Sequence, residues 1–194
     1  MSSILQPINN ISDRFELGEQ IGEGSTGYVV RAQDKENRDL DLALKVLDPR
    51  RWGNGFNRDI KDFELAHREV ESWASLSGHR RFPRFHGGYY EPDLTHYICL
   101  DRIDGVTLRQ DLDQRLQHGN KYSPEEIRCI LIGISEGIHA VHHLNRVHRD
   151  LSSNNVMVDG DLNVKHVDLG FLTAENMLRS LFSTTCGTLG YTSP

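Results

Sequence analysis

Three glycines fall within six residues, Gly22-Glu23-Gly24-Ser25-Thr26-Gly27, between two stretches that read as strands, FELGEQIG before and YVVRAQD after. This arrangement excludes more folds than any other feature of the chain. A P-loop NTPase requires lysine after the last glycine, and Tyr28 stands there. A dinucleotide-binding turn requires a helix to open behind its glycines. Here Tyr28-Val29-Val30 follows, and its β-branched side chains favour a strand. What is left is a hairpin with a glycine tip. Such a tip either makes an ordinary turn or lays its backbone N–H groups over phosphates; alone, the glycine run leaves both open.

The neighbouring segments continue the strand-rich pattern. Leu40, Leu42, Leu44 and Val46 alternate and predict a strand with one apolar face, with Lys45 among them. An ammonium in a buried strand needs a counter-charge, because leaving it unpaired is costly. Glu69 can supply one from a helix predicted over about 59–76, where Phe63, Ala66, Val70 and Trp73 recur at helical spacing and Gly78 ends the run. FHGGYYE and THYICLD read as two more strands. The strongest helix signal begins at Ser123-Pro124-Glu125-Glu126, which offers an N-cap, a proline at the first helical position and a capping-box glutamate. Ile127, Ile130, Leu131, Ile134, Ile138 and Val141 follow as an apolar stripe. Val156-Met157-Val158, the turn Asp159-Gly160 and Leu162-Asn163-Val164 predict a hairpin. Residues 1–14 are polar and read as a tail, and 50–58 as a loop.

Composition narrows the classes. Twenty-eight acidic against 22 basic side chains give a net charge of −6, which argues against a nucleic-acid binder with a broad basic face. No apolar run is long enough to cross a bilayer, and the start lacks the basic and apolar regions of a signal peptide. Cys99, Cys129 and Cys186 show no C-x-x-C spacing, so reduced thiols and a cytoplasmic location are expected. His139 and His143 lie one helical turn apart without an evident third ligand, and read as a solvated helix flank.

Three further clusters complete the pattern: His148-Arg149-Asp150-Leu151-Ser152-Ser153-Asn154-Asn155, then Asp168-Leu169-Gly170, then Gly187-Thr188-Leu189-Gly190-Tyr191-Thr192-Ser193-Pro194. Each has a plausible loop reading by itself. In this order, with the glycine run, Lys45 and Glu69, the chain resembles the protein kinase family over residues 15–194. The resemblance implies an α+β, bilobal fold: an N-lobe with an antiparallel five-stranded sheet and helix αC, and a mainly helical, incomplete C-lobe. The boundaries it implies are a tail over 1–14, an N-lobe over 15–100, a hinge over 101–105 and a partial C-lobe over 106–194. The family continues beyond the position of Pro194 with further helices, so the chain is expected to be truncated after the activation segment.

The resemblance also implies an activity: ATP-dependent transfer of a phosphoryl group to Ser or Thr hydroxyls of protein substrates, with Mg²⁺. Thr188 favours the Ser/Thr class. Lys45, held by Glu69, would contact phosphates, and Asp150 would accept the proton of the incoming hydroxyl. Asn155 and Asp168 would hold the metal. Ile21, Gly22, Glu23, Gly24, Ser25, Gly27, Val29, Ala43, Leu100, Asp101, Ile103, Thr107 and Met157 would line the ATP site. Arg149 points to an activation-segment phosphate, with Ser183, Thr184 and Thr185 as candidate acceptors. The departure that matters is Ser152, where Ser/Thr members usually carry lysine; Asn154 is uncharged as well. A lysine introduced at 152 is expected to raise kcat. That departure and the missing helices keep other readings open: a nucleotide-binding pseudokinase or regulatory scaffold, or an inactive fragment of a longer kinase.

Overall fold

The alternating segment Asp41–Leu47 becomes the central strand of the larger sheet, with Leu42, Leu44 and Val46 buried on one face and Lys45 on the other. In the computed structural model, residues 4–24, 27–48, 61–170 and 172–174 are described. The chain divides into two compact units: Met1–Ser77 with Arg84–Arg102, and Gly78–Pro83 with Ile103–Pro194.

The first unit contains β1 (Leu5–Pro7), α1 (Ile11–Arg14), β2 (Phe15–Glu23), β3 (Gly27–Asp34), β4 (Asp41–Leu47), α2 (Lys61–Leu76), β5 (Phe85–Tyr90) and β6 (His96–Asp101). Its six strands run in the order β1-β5-β6-β4-β3-β2. The five expected strands are antiparallel, and β1 adds a sixth, parallel to β5. Within the stretch expected as a tail, Leu5–Pro7 are therefore part of the sheet and Ile11–Arg14 form a helical turn. Leu5 and Ile11 are buried, the Asn10 side chain caps α1 by accepting from Ser12 N at 2.8 Å, and Ile11 N donates to Glu91 at 2.7 Å. Ile4, Leu5, Ile8 and Ile11 do not alternate as strand residues would, which is why this docking is silent in the sequence. On the face opposite Lys45, Ile11 and Phe15 pack with Val30, Leu44, Tyr89 and Tyr97.

The second unit contains β7 (Val106–Thr107), α3 (Leu108–Gln117), α4 (Pro124–His143), β8 (Arg146–Val147), β9 (Val156–Val158), β10 (Val164–His166) and β11 (Thr173–Ala174). The predicted hairpin is β9–β10, extended by β7 on the other side of β9. Helix α4 starts as predicted, with a reciprocal capping box between Ser123 and Glu126. Helix α3 was not anticipated, although Thr107 and Gln110 form the same device. Arg115 joins the two helices, pairing with Asp111 at 2.9 Å and Glu126 at 3.0 Å while lying 4.1 Å over the Tyr122 ring.

The buried face of α4 differs from the predicted stripe. Ile130 and Val141 are buried, but Ile127 and Leu131 are exposed along a groove of about 460 Å³. The helix instead turns its glycines inward: a Cβ on Gly133 would lie 2.6 Å from Val164 Cβ, and one on Gly137 would overlap the His166 ring. Close approach to β10 outweighs the burial of two aliphatic side chains. Residues 78–83 dock on the same layer, where Arg81 O accepts from His166 N at 2.8 Å and Arg81 Nε donates to Glu136 at 2.7 Å. Among the described residues no helix is long and apolar enough to cross a membrane. Cys99 is buried, with its thiol pushed up to about 12 by desolvation, and Cys129 is exposed; both are free.

Candidate active site

Lys45 and Glu69 meet as their sequence context demands. Lys45 Nζ donates to Glu69 Oε1 at 2.7 Å, with the two residues only 8% and 5% exposed. Strand β4 fixes the lysine in the ladder between Val29 and Ile98, and α2 brings the glutamate from 24 residues away. A third residue joins them. Trp73, one turn after Glu69 and fully buried, donates its indole N–H to the same carboxylate oxygen at 3.4 Å. Sequence reasoning placed Trp73 only in the apolar stripe of the helix; a buried indole needs an acceptor, and that was the signal available.

The glycine segment is the predicted hairpin. Gly22 pairs with Val29 and Glu23 with Tyr28, and Gly24 N donates to Gly27 O at 2.9 Å. Ile21 is exposed on β2. Gly27 also has a purely steric reason to be glycine, since a Cβ there would overlap the carbonyl of Val46. Ala43 faces Leu100 across the β4–β6 ladder. At the end of β6, Asp101 N donates to Arg84 O and Arg102 N to Asp41 O, both at 2.9 Å. The Asp101 carboxylate contacts His86 Nε2 at 2.6 Å.

In the second unit, Ile103 precedes the β7 strand, and Thr107 stands opposite Met157 in the β7–β9 pair. The Thr107 hydroxyl accepts from Gln110 N at 3.1 Å and so serves the α3 cap. The loop from His148 to Asn155 is held from within. Arg149 adopts a left-handed backbone with φ of +62°, uncommon for a residue with a side chain. Asn155 Nδ2 donates to Asp150 O at 2.9 Å and to Asp150 Oδ2 at 2.7 Å. Asn155 N donates to Ser152 O at 3.1 Å, and Asn155 O accepts from Val167 N at 3.0 Å, tying this loop to the segment before Asp168. Asp168 Oδ1 accepts from Gly170 N at 2.9 Å. With its nitrogen committed to Asp150, the Asn155 amide has its oxygen left as donor to a cation. An amide oxygen and a carboxylate are the hard donors that Mg²⁺ prefers.

Two buried histidines, one at the start of this loop and one in β10, stand close together. His148 and His166 have ring centroids 5.8 Å apart, and His166 also stacks on Phe82 at 5.4 Å. Neither ring makes a hydrogen bond of ordinary geometry among the described residues. Burial lowers the His148 pKa although Asp168 and Asp150 pull it upward, and burial takes His166 to about 4. The sequence does not single out His166, which lies just past the predicted hairpin segment Leu162-Asn163-Val164. Ser25, Ser183, Thr184 and Thr185 lie outside the described residues.

Comparison with known proteins agrees with this arrangement. A family model described as a protein kinase domain matches residues 15–194. The chain is 29% identical over 166 residues to CDPK-related kinase 5 of Arabidopsis thaliana, covering 83% of the chain and 26% of that protein. It is 32% identical over 183 residues to Aurora kinase C of Mus musculus, covering 93% of the chain and 60% of that protein. Calcium-dependent protein kinase 5 of Oryza sativa subsp. japonica is 28% identical over 191 residues, 97% of the chain and 33% of that protein. The chain thus spans between about a quarter and three fifths of the length of these relatives. A glycine hairpin beside a buried lysine–glutamate pair, an aspartate locked to an asparagine five residues on and a match over 180 of 194 positions lead to one conclusion: the chain belongs to the protein kinase domain family.

Proposed function

We propose that the chain carries the ATP-dependent activity of a protein serine/threonine kinase, moving the γ-phosphoryl of ATP to a Ser or Thr hydroxyl of a protein substrate. The observation that carries this reading is the buried Lys45–Glu69 pair. A buried ion pair is seldom worth more to stability than an apolar isostere, so stability alone gives little reason for one here. A lysine kept charged and fixed in direction suits contact with phosphate oxygens. In the reaction, the substrate oxygen bonds to the γ-phosphorus as the bond to the β–γ bridging oxygen breaks. The hydroxyl proton passes to the Asp150 carboxylate, and ADP leaves. Asn155 holds that carboxylate in place. Asn155 and Asp168 would hold Mg²⁺, which when bound offsets negative charge on the phosphates. Ile21, Val29, Ala43, Leu100, Asp101, Ile103 and Met157 would accommodate the adenine, and Ser183, Thr184 and Thr185 remain candidate phosphorylation sites.

Calorimetry of ATP binding with and without Mg²⁺ tests the assignment. Lys45→Met is expected to lose affinity, whereas Asp150→Asn is expected to bind ATP normally and to transfer no phosphoryl group to a generic Ser/Thr substrate. Unchanged affinity in Lys45→Met would remove the basis of the proposal. One observation favours a second reading, a nucleotide-binding pseudokinase: two residues after Asp150 the chain has a buried serine instead of a cation. Magnesium-dependent ATP binding by the unaltered chain with no transfer to any Ser/Thr substrate would select it.

A further inference from the structure

Strand β1 does more than lengthen the sheet. Gly88 N donates to Ile4 O at 3.2 Å and Ile8 N to Tyr90 O at 2.9 Å, which sets Leu5 opposite Gly88. Gly88 leaves a gap on the α2 side of β5. A Cβ placed there would lie 2.8 Å from Val70 Cγ1 and 3.1 Å from Leu5 Cδ1. The side-chain ends of Leu5 and Val70 therefore share the space over one glycine. Val70 is fully buried and adjoins Glu69 in the chain, so whatever sets its depth over β5 also sets the reach of the glutamate. Hydrogen bonds weaken steeply with distance and angle, and the 2.7 Å contact with Lys45 has little tolerance for a helix that lifts.

We propose that Leu5 is a positioning residue for the Lys45–Glu69 pair, acting through Val70. The consequence for nucleotide binding rests on the function proposed above; the positioning itself does not. The same segment supplies an internal control. Ile11 is as deeply buried as Leu5 but packs with Leu44 and Tyr89, whose side chains alternate with those of Lys45 and Gly88 and face the other side of the sheet.

The test uses the 194-residue chain with Trp52→Phe, which leaves Trp73 beside Glu69 as the sole tryptophan. Two probes are read below the melting temperature: Trp73 emission, and the rate at which a water-soluble succinimidyl ester acylates Lys45, followed by peptide mass spectrometry. Leu5→Ala and Ile11→Ala should both lower Tm. Only Leu5→Ala should red-shift Trp73 and speed Lys45 acylation, by roughly threefold or more as local opening becomes more frequent. Leu5→Met should restore both probes. If Leu5→Ala does not fold, Leu5→Val is read in its place. The proposal fails if the Leu5 variant moves neither probe, or if Ile11→Ala moves both equally. Neither probe involves nucleotide, so ATP binding unaffected by Lys45→Met would sink the functional reading while leaving the positioning role to be judged here.

Discussion

Asn155 commits its side-chain nitrogen to Asp150, 2.9 Å from the backbone oxygen and 2.7 Å from carboxylate Oδ2. One side chain thus orients the carboxylate that the proposed reaction uses as proton acceptor, and in doing so directs its own oxygen elsewhere. The two roles proposed for these residues, proton acceptor and metal ligand, would thereby be mechanically linked.

Asn155→Ala should therefore affect both. Loss of the two hydrogen bonds is expected to lower stability by about 1–2 kcal/mol and to weaken the Mg²⁺ dependence of ATP binding. Asn155→Asp should be worse than alanine at pH 7, because a second carboxylate would then face Asp150 and the two charges would repel. Thermal melts of the three proteins check the order; an aspartate variant as stable as the parent would contradict it.

Ser152 is 3% exposed, and its hydroxyl has no hydrogen-bond partner among the described residues. This burial argues against the expectation that a lysine there would raise kcat. Ser152→Lys must either bury an ammonium or displace the loop that carries Asp150, so it should lower Tm and reduce turnover. Ser152→Ala, which removes an unsatisfied buried hydroxyl, should leave Tm unchanged or raise it by the equivalent of about 1 kcal/mol. A clear loss of stability in the alanine variant would show that the hydroxyl has a partner after all.

His166 is fully buried and titrates at about 4 against an ordinary 6.5. Between those values the unfolded chain holds a proton that the folded chain does not. The stability that depends on the neutral ring is whole above pH 6.5 and is lost as pH falls toward 4, to a total of about 3 kcal/mol. His166→Leu should flatten the decline of Tm with pH in that window while keeping the contact with Gly137. An equally steep decline in the leucine variant would assign the acid sensitivity to other groups.

Much of the candidate site was legible because its parts are short and chemically specific. The His148–Asn155 run and Asp168-Leu169-Gly170 stand out by their order and their resemblance to the kinase motifs, whereas the bond from Asn155 to Asp150 is seen only in the structure. Lys45 demanded a carboxylate partner on energetic grounds, and Glu69 is that partner. The supporting residues were harder to see. Trp73 looks like an ordinary member of an apolar stripe and His166 carries no sequence signal at all; what distinguishes them is the atom each ring faces.

The sequence by itself determined where several strands and helices begin, because alternation, capping boxes and turn residues act over a few positions: the Ser123 cap, the β9–β10 hairpin and the β4 face follow from local chemistry. For β1 and α4, only the tertiary structure decided which residues are buried. Leu5 settles over Gly88 although nothing near it in sequence announces a strand. Helix α4 buries Gly133 and Gly137 in preference to Ile127 and Leu131, because β10 lies too close for any Cβ at those glycines. Local propensity is a property of neighbours along the chain. Burial depends on which distant segment comes to lie against a face, and the volume available there selects among side chains that the sequence alone leaves equivalent.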